Sequence, residues 1–186
     1  MDIYYAIFYS SCFIWLFPTI KQRKTEYFIF FLILALADPI GMGLHRLFGL
    51  STVLYTLIVL NALISSLLLQ RNRIFSLLLG TIVVLFVVLF APNRETQYVL
   101  ICLFLLIIII LLAIKFLKRM RKSGFNLFLS LLIFYNVVSF FRMLALVLSV
   151  KQGAISFIMG YAFQIVFGIF FTFINVNTKN FKLNIR

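Results

Sequence analysis

Charge is what this chain has least of. Only 11% of its 186 residues are Asp, Glu, Lys or Arg, and just 4 of them are acidic. A soluble domain carries about 25% charged residues, and disorder requires low hydrophobicity. A chain that is 65% hydrophobic belongs to neither class. Cysteine numbers 2 and histidine 1. Cys12 and Cys102 both fall in apolar runs, where they read as packing residues and form no disulfide framework or metal set. HExxH, GxSxG and a credible Cys/His/acid set are all missing. A basic leader and a small-residue cleavage site are missing from Met1-Asp2-Ile3-Tyr4-Tyr5, so no cleavable signal peptide is expected. Neither end carries a lipidation motif.

Long apolar runs dominate instead. A spanning helix needs about 20 mostly apolar residues, because the hydrocarbon core is roughly 30 Å thick. Seven runs qualify, at approximately 3–20, 27–49, 51–69, 74–91, 97–117, 125–150 and 153–176. They are continuously apolar rather than alternating, which predicts helices and not a membrane β-barrel. Even Ile107-Ile108-Ile109-Ile110 reads as helix, since in lipid the backbone must satisfy itself internally. The loops between runs leave no room for a soluble domain, so residues 1–186 form one all-α transmembrane domain.

The few charges are nearly all positive, giving a formal charge of +13. Lys21, Arg23 and Lys24 follow the first run, and Arg71 and Arg73 the third. Lys115, Lys118, Arg119, Arg121 and Lys122 follow the fifth, and Lys179, Lys182 and Arg186 the seventh. With seven spans all of these lie on one side, and only Arg46, Arg94 and Lys151 on the other. The positive-inside rule then predicts an outside N-terminus and a cytoplasmic C-terminus in the cell membrane. Short juxtamembrane clusters are no nucleic-acid face; they fit attraction to anionic lipid.

An ionisable residue inside a span is a functional candidate, because hydrocarbon charges several kcal/mol for it unless it is paired or hydrated. Asp38, Asn61, Asn136 and Gln164 lie about 10–11 residues into four different spans, hence at one depth near the midplane. They predict a buried polar cluster. Toward the outside lie His45, one face with Asp38, then Arg46, and on the sixth span Tyr135, Ser139 and Arg142 at helical spacing. Arg142 is the deeper cation; its natural partner is Asp38 or an anionic ligand. The blander alternative is that Asn61, Asn136 and Gln164 are interhelical glue, that Asp38 and Arg142 form a structural tie, and that His45 and Arg46 are an interfacial pair.

Pro39, with Gly41 and Gly43 beyond it, interrupts the second span. Proline removes a backbone hydrogen bond and bends the helix, freeing a carbonyl near Ala35. Such a hinge either lines a cavity or lets Ala37-x-x-x-Gly41 pack closely. Leu77–Phe90 and Val99–Ile114 are almost free of polar groups and carry no expected site.

The first three and last three spans enter with the same orientation, and Asp38 and Asn61 echo Asn136 and Gln164. This suggests a parallel 3+1+3 repeat. With Phe17-Pro18-Thr19-Ile20-Lys21-Gln22-Arg23-Lys24-Thr25, the chain resembles the PQ-loop and SWEET-type superfamily of seven-helix proteins. Thr19 stands where that motif has Gln, and Lys115-Phe116-Leu117-Lys118 has no proline. The resemblance implies that Asn61 and Gln164 form a substrate pocket pair. No lysine lies in span seven, which excludes a retinal Schiff base.

Three functions follow as expectations. One is binding, with transport or sensing, of a small polar or anionic ligand, without a cofactor or metal. Another is an integral subunit that stabilises a larger membrane complex or a homo-oligomer. An intramembrane enzyme is the third and least supported, since only one acid is buried.

Overall fold

The computed structural model describes residues 3–68, 77–82, 84, 93–148, 154–174 and 176. The described residues are almost entirely helical: α1 (Ile3–Ile14), α2 (Leu16–Lys21), α3 (Phe28–Phe48), α4 (Thr52–Leu67), α5 (Arg94–Ser123), α6 (Leu127–Val147) and α7 (Ala154–Phe173). Residues 77–82 are helical as well. Phe28–Phe48, Glu95–Lys122 and Leu127–Val147 are long and apolar enough to cross a membrane, and Ala6–Lys21, Thr52–Leu67 and Ile158–Phe173 are shorter apolar helices. Most of the expected span 74–91 lies outside the described residues, as do Arg71, Arg73, Lys151, Lys179, Lys182 and Arg186.

The first apolar run is not one helix. Pro18 has no N–H to give the Ile14 carbonyl, and the helix breaks at Trp15, between α1 and α2. Thr19 repairs the break. Its backbone N–H reaches the Trp15 carbonyl at only 3.5 Å, and its hydroxyl lies 3.0 Å from both the Trp15 and Phe31 carbonyls. One hydroxyl hydrogen is shared between α2 and α3. Gly49, at φ 64°, ends α3 with its N–H on the His45 carbonyl. Asn126 starts α6 by accepting from the Leu129 N–H at 3.0 Å, which satisfies one of the orphan donors of the first turn.

The helices form a circuit of neighbours. The α1–α2 pair packs on α3, α3 on α4, α4 on α5, α5 on α6, and α7 returns to α1 and α2. Contact between α6 and α7 is sparse, whereas α5 and α6 pack along much of their length. Inside the circuit sits an aromatic core. Trp15 stacks on Phe31 at 6.0 Å between centroids and meets Tyr135 at 5.3 Å and Phe171 at 6.2 Å. Phe31 and Phe128 close on Phe171 at 5.2 and 5.5 Å. In lipid no hydrophobic force drives helices together, so contact of this kind has to hold them; each aromatic pair adds about 0.5–1.5 kcal/mol.

Two buried amides tie down one end of this core. Gln22 Nε2 donates to the Ile174 carbonyl at 3.1 Å, and Asn126 Nδ2 to the Val176 carbonyl at 3.2 Å. Both side chains are buried. They hold two carbonyls of the chain just beyond the end of α7 at Phe173. Nearby, Lys115 binds Glu26 at 3.1 Å and lies 5.3 Å above the Tyr27 ring, while Arg119 is 3.9 Å from the same carboxylate.

Candidate functional site in the cleft between two helices

Where α6 and α7 part, a cleft of about 250 Å³ opens, lined by Tyr135, Val138, Ser139, Arg142, Met159, Gly160, Phe163, Gln164 and Phe167. The helices run antiparallel here. Arg142 is five residues before the end of α6 and Gly160 six after the start of α7, so both lie about 8 Å below their helix ends. The guanidinium rests against Gly160, where any Cβ would collide with it. Glycine therefore leaves the room in which the guanidinium lies.

One turn further into the bundle is Gln164, whose Oε1 accepts from the Ser11 hydroxyl at 3.1 Å. Its amide N–H groups are the donors left to meet a guest. The wall is completed by Tyr135, wedged between Trp15 and Phe167, each 5.3 Å away. Ser139 turns its hydroxyl back to the Tyr135 carbonyl at 3.0 Å. The result is a cation and an amide, with two hydroxyl-bearing side chains, in a largely apolar cleft, an arrangement suited to holding an anionic group.

Three of the expected site residues, Tyr135, Arg142 and Gln164, are brought together. Asp38, half-buried at the centre of α3, is within electrostatic range of Arg142 and also of Cys12, Tyr55 and Tyr135. Among the described residues, the ion pairs within 4.0 Å are those of Glu26; Asp38 and Arg142 act on each other from further away.

The other candidates have separate surroundings. Asn61 is buried and donates to the Leu77 carbonyl at 3.0 Å and the Thr81 hydroxyl at 3.2 Å, its amide pressed on Gly80. It fastens α4 to the helical stretch 77–82. The pairing of Asn61 with Gln164 is therefore not seen: each amide serves a different neighbour. Asn136 donates to the Leu132 carbonyl on its own helix at 2.8 Å. His45 and Arg46 are exposed at the end of α3, where His45 Nδ1 donates to the Leu50 carbonyl at 2.9 Å and braces the turn into α4.

The proline bend has a packing partner. Tyr55 of α4 donates to the Ala37 carbonyl at 2.6 Å, and its ring fills the notch that Gly41 leaves. Its hydroxyl also faces the Gly41 backbone N–H, so a side chain from α4 occupies the step of the ladder beside Pro39. Gly43 faces open space. Gly160 and the apolar wall escaped sequence reading. The available signal was glycine inside an apolar run, which marks close approach between membrane helices.

A first expected outcome concerns Asn61. Asn61→Leu removes the tie to residues 77–82 and lowers stability by about 0.6–1.7 kcal/mol, the range for interhelical hydrogen bonds in membranes. Thermal unfolding in detergent checks it; an unchanged midpoint contradicts the role as a fastener.

In comparisons with known proteins, no family model matches the chain, and no curated protein or solved structure is significantly similar to it.

Proposed function

We propose that this chain is a seven-span protein of the cytoplasmic membrane, N-terminus outside and C-terminus inside, that binds a small anionic ligand between α6 and α7. The observation that carries this reading is the Arg142 guanidinium seated against Gly160 in a cleft that also holds Gln164. A cation this far below a helix end is costly unless something compensates it. Asp38 acts on it at range, and the cleft beside it has room for an anion. Binding is the core of the reading; sensing and transport are the two uses to which a membrane protein puts such a site. The parallel 3+1+3 plan and the likeness to PQ-loop proteins stay outside it, because the reading needs only α6, α7 and α3.

The test is thermal unfolding of the purified protein in a nonionic detergent. Acetate, succinate and phosphate are added against chloride at constant ionic strength. A ligand that binds only the folded state stabilises it by about 2.7 kcal/mol at a hundred times its Kd. The expected result is an upward shift for at least one of these anions that disappears in Arg142→Gln. Equal shifts in wild type and variant would sink the reading, as would the absence of any shift. Asp38→Asn is made in parallel, alone and combined with Arg142→Gln. If both single variants are unstable and the double variant recovers, the two residues are a structural tie and not a binding pair. Copurification of a stoichiometric membrane protein whose removal collapses the fold would favour the integral-subunit function instead.

A further inference from the structure

The cleft is lined by four polar side chains, Tyr135, Ser139, Arg142 and Gln164, and by the apolar Val138, Met159, Phe163 and Phe167. Two of those apolar residues are far from enclosed: Met159 is 58% exposed and Phe163 45%. In a helix that spans a membrane, such exposure is toward lipid. The sparse contact between α6 and α7 leaves room for an opening on that side, and the guanidinium, about 8 Å below the ends of helices of 21 and 20 residues, lies at the level of the acyl chains.

Size points the same way. Pockets that enclose a drug-sized ligand measure roughly 300–1,000 Å³, and this one measures about 250 Å³. It takes a head group and the first part of a chain; anything longer has to leave between α6 and α7, past the exposed Met159 and Phe163. A fully hydrated anion such as phosphate would give up water for one cation and one amide against apolar walls. An anion with an apolar chain offsets that loss, counted from water, because its methylenes lie in apolar surroundings in the bilayer and in the cleft alike.

Resting on the anion-binding reading above, we infer that the natural ligand class is a single-chain anionic amphiphile, an alkyl carboxylate or alkyl phosphate, which slides in sideways from the bilayer. Its charged head lies on Arg142 and Gln164, and its chain runs out between α6 and α7.

The experiment uses the full chain in nanodiscs of zwitterionic lipid. The probes are acetate, hexanoate, decanoate and decyl phosphate, with decanol and decyltrimethylammonium as uncharged and cationic controls. Affinity is read by displacement of a diazirine-bearing decanoate, and its crosslinks are mapped by mass spectrometry. The expected result is affinity that rises about fourfold for each added methylene until the cleft is filled, the equivalent of about 0.8 kcal/mol per buried CH₂. Crosslinks fall on Met159 and Phe163, neither control competes, and competition is lost in Arg142→Gln and regained in Arg142→Lys. Decanoate against decyl phosphate tells which head group is preferred; either one satisfies the inference.

If acetate competes as well as decanoate, the amphiphile inference is overturned while the anion site stands. If decanol competes equally with decanoate, what is measured is partition into an apolar gap, and the inference falls. If no anion of any length competes, the anion-binding reading falls with it. The wild-type chain-length series decides the first two outcomes even if the arginine variants do not fold.

Discussion

Phe31→Ala lowers the unfolding free energy by about 3–5 kcal/mol, the usual cost of removing a buried aromatic side chain. Phe31 is fully buried and touches ring partners from several directions: Trp15, Phe30, Phe128 and Phe171. Those rings belong to the α1–α2 junction, α3, α6 and α7, so one truncation loosens most of the circuit. Lipid aggravates the loss. A cavity here is not closed by hydrophobic pressure, because lipid tails are as apolar as the side chain removed. The measurement is reversible unfolding in mixed micelles, with Phe134→Ala as the contrast. Phe134 lies 55% exposed on α6, and its loss costs much less. Equal effects of the two substitutions would mean that the aromatic core does not hold the bundle.

Asn126→Leu gives the second large effect, about 2–4 kcal/mol. Its side chain does two jobs at once. The oxygen caps α6 at the Leu129 N–H, and the nitrogen holds the Val176 carbonyl. Losing a cap costs about 1 kcal/mol, and leaving a buried carbonyl without its donor costs about 1–3 kcal/mol more. Gln22→Leu removes the bond to Ile174 and a longer one from the Thr25 hydroxyl at 3.3 Å, leaves the α6 cap in place, and costs about half as much. In the double variant the chain beyond α7 has lost both anchors. Hydrogen exchange then quickens at the last turn of α7, while the turns of α7 near Gly160 keep their protection. Uniform loss of protection along α7 would show that the two amides support the whole helix and not its end.

Much of the architecture was legible from elementary patterns. The apolar runs placed α3 to within a residue of its observed ends, and the basic cluster after the fifth run is the last part of α5. The depth argument brought out Arg142 and Gln164, and with Tyr135 these three do meet. What it could not show was partnership. Asn61 and Gln164 lie at equal depth, yet one faces residues 77–82 and the other faces Ser11. Depth is set by position along a helix, but partnership is set by rotation about it and by which helices become neighbours. Neither is written in hydropathy. The Gln22–Ile174 bond joins residues 152 positions apart, and nothing local announces it. Asn126 did carry a signal, an Asn just before an apolar run, which is the mark of a helix start. Gly80, Gly160 and Gly168 each make room for a side chain from another segment, and only the assembled bundle shows which.

Helix α5 has a consequence for where the protein can live. Its 30 residues make a rod about 45 Å long, but the apolar stretch from Tyr98 to Ile114 covers only about 25 Å of it. A hydrocarbon layer is roughly 30 Å thick. Lys115, tied to Glu26 and laid over Tyr27, cannot reach outward as an unbound lysine does. The rod therefore has little freedom to tilt, since tilting shortens its apolar reach further. A thin bilayer suits it, and a thick one must be drawn in around it. Membrane thickness, through the apolar reach of this one helix, sets how well the bundle fits the bilayer around it.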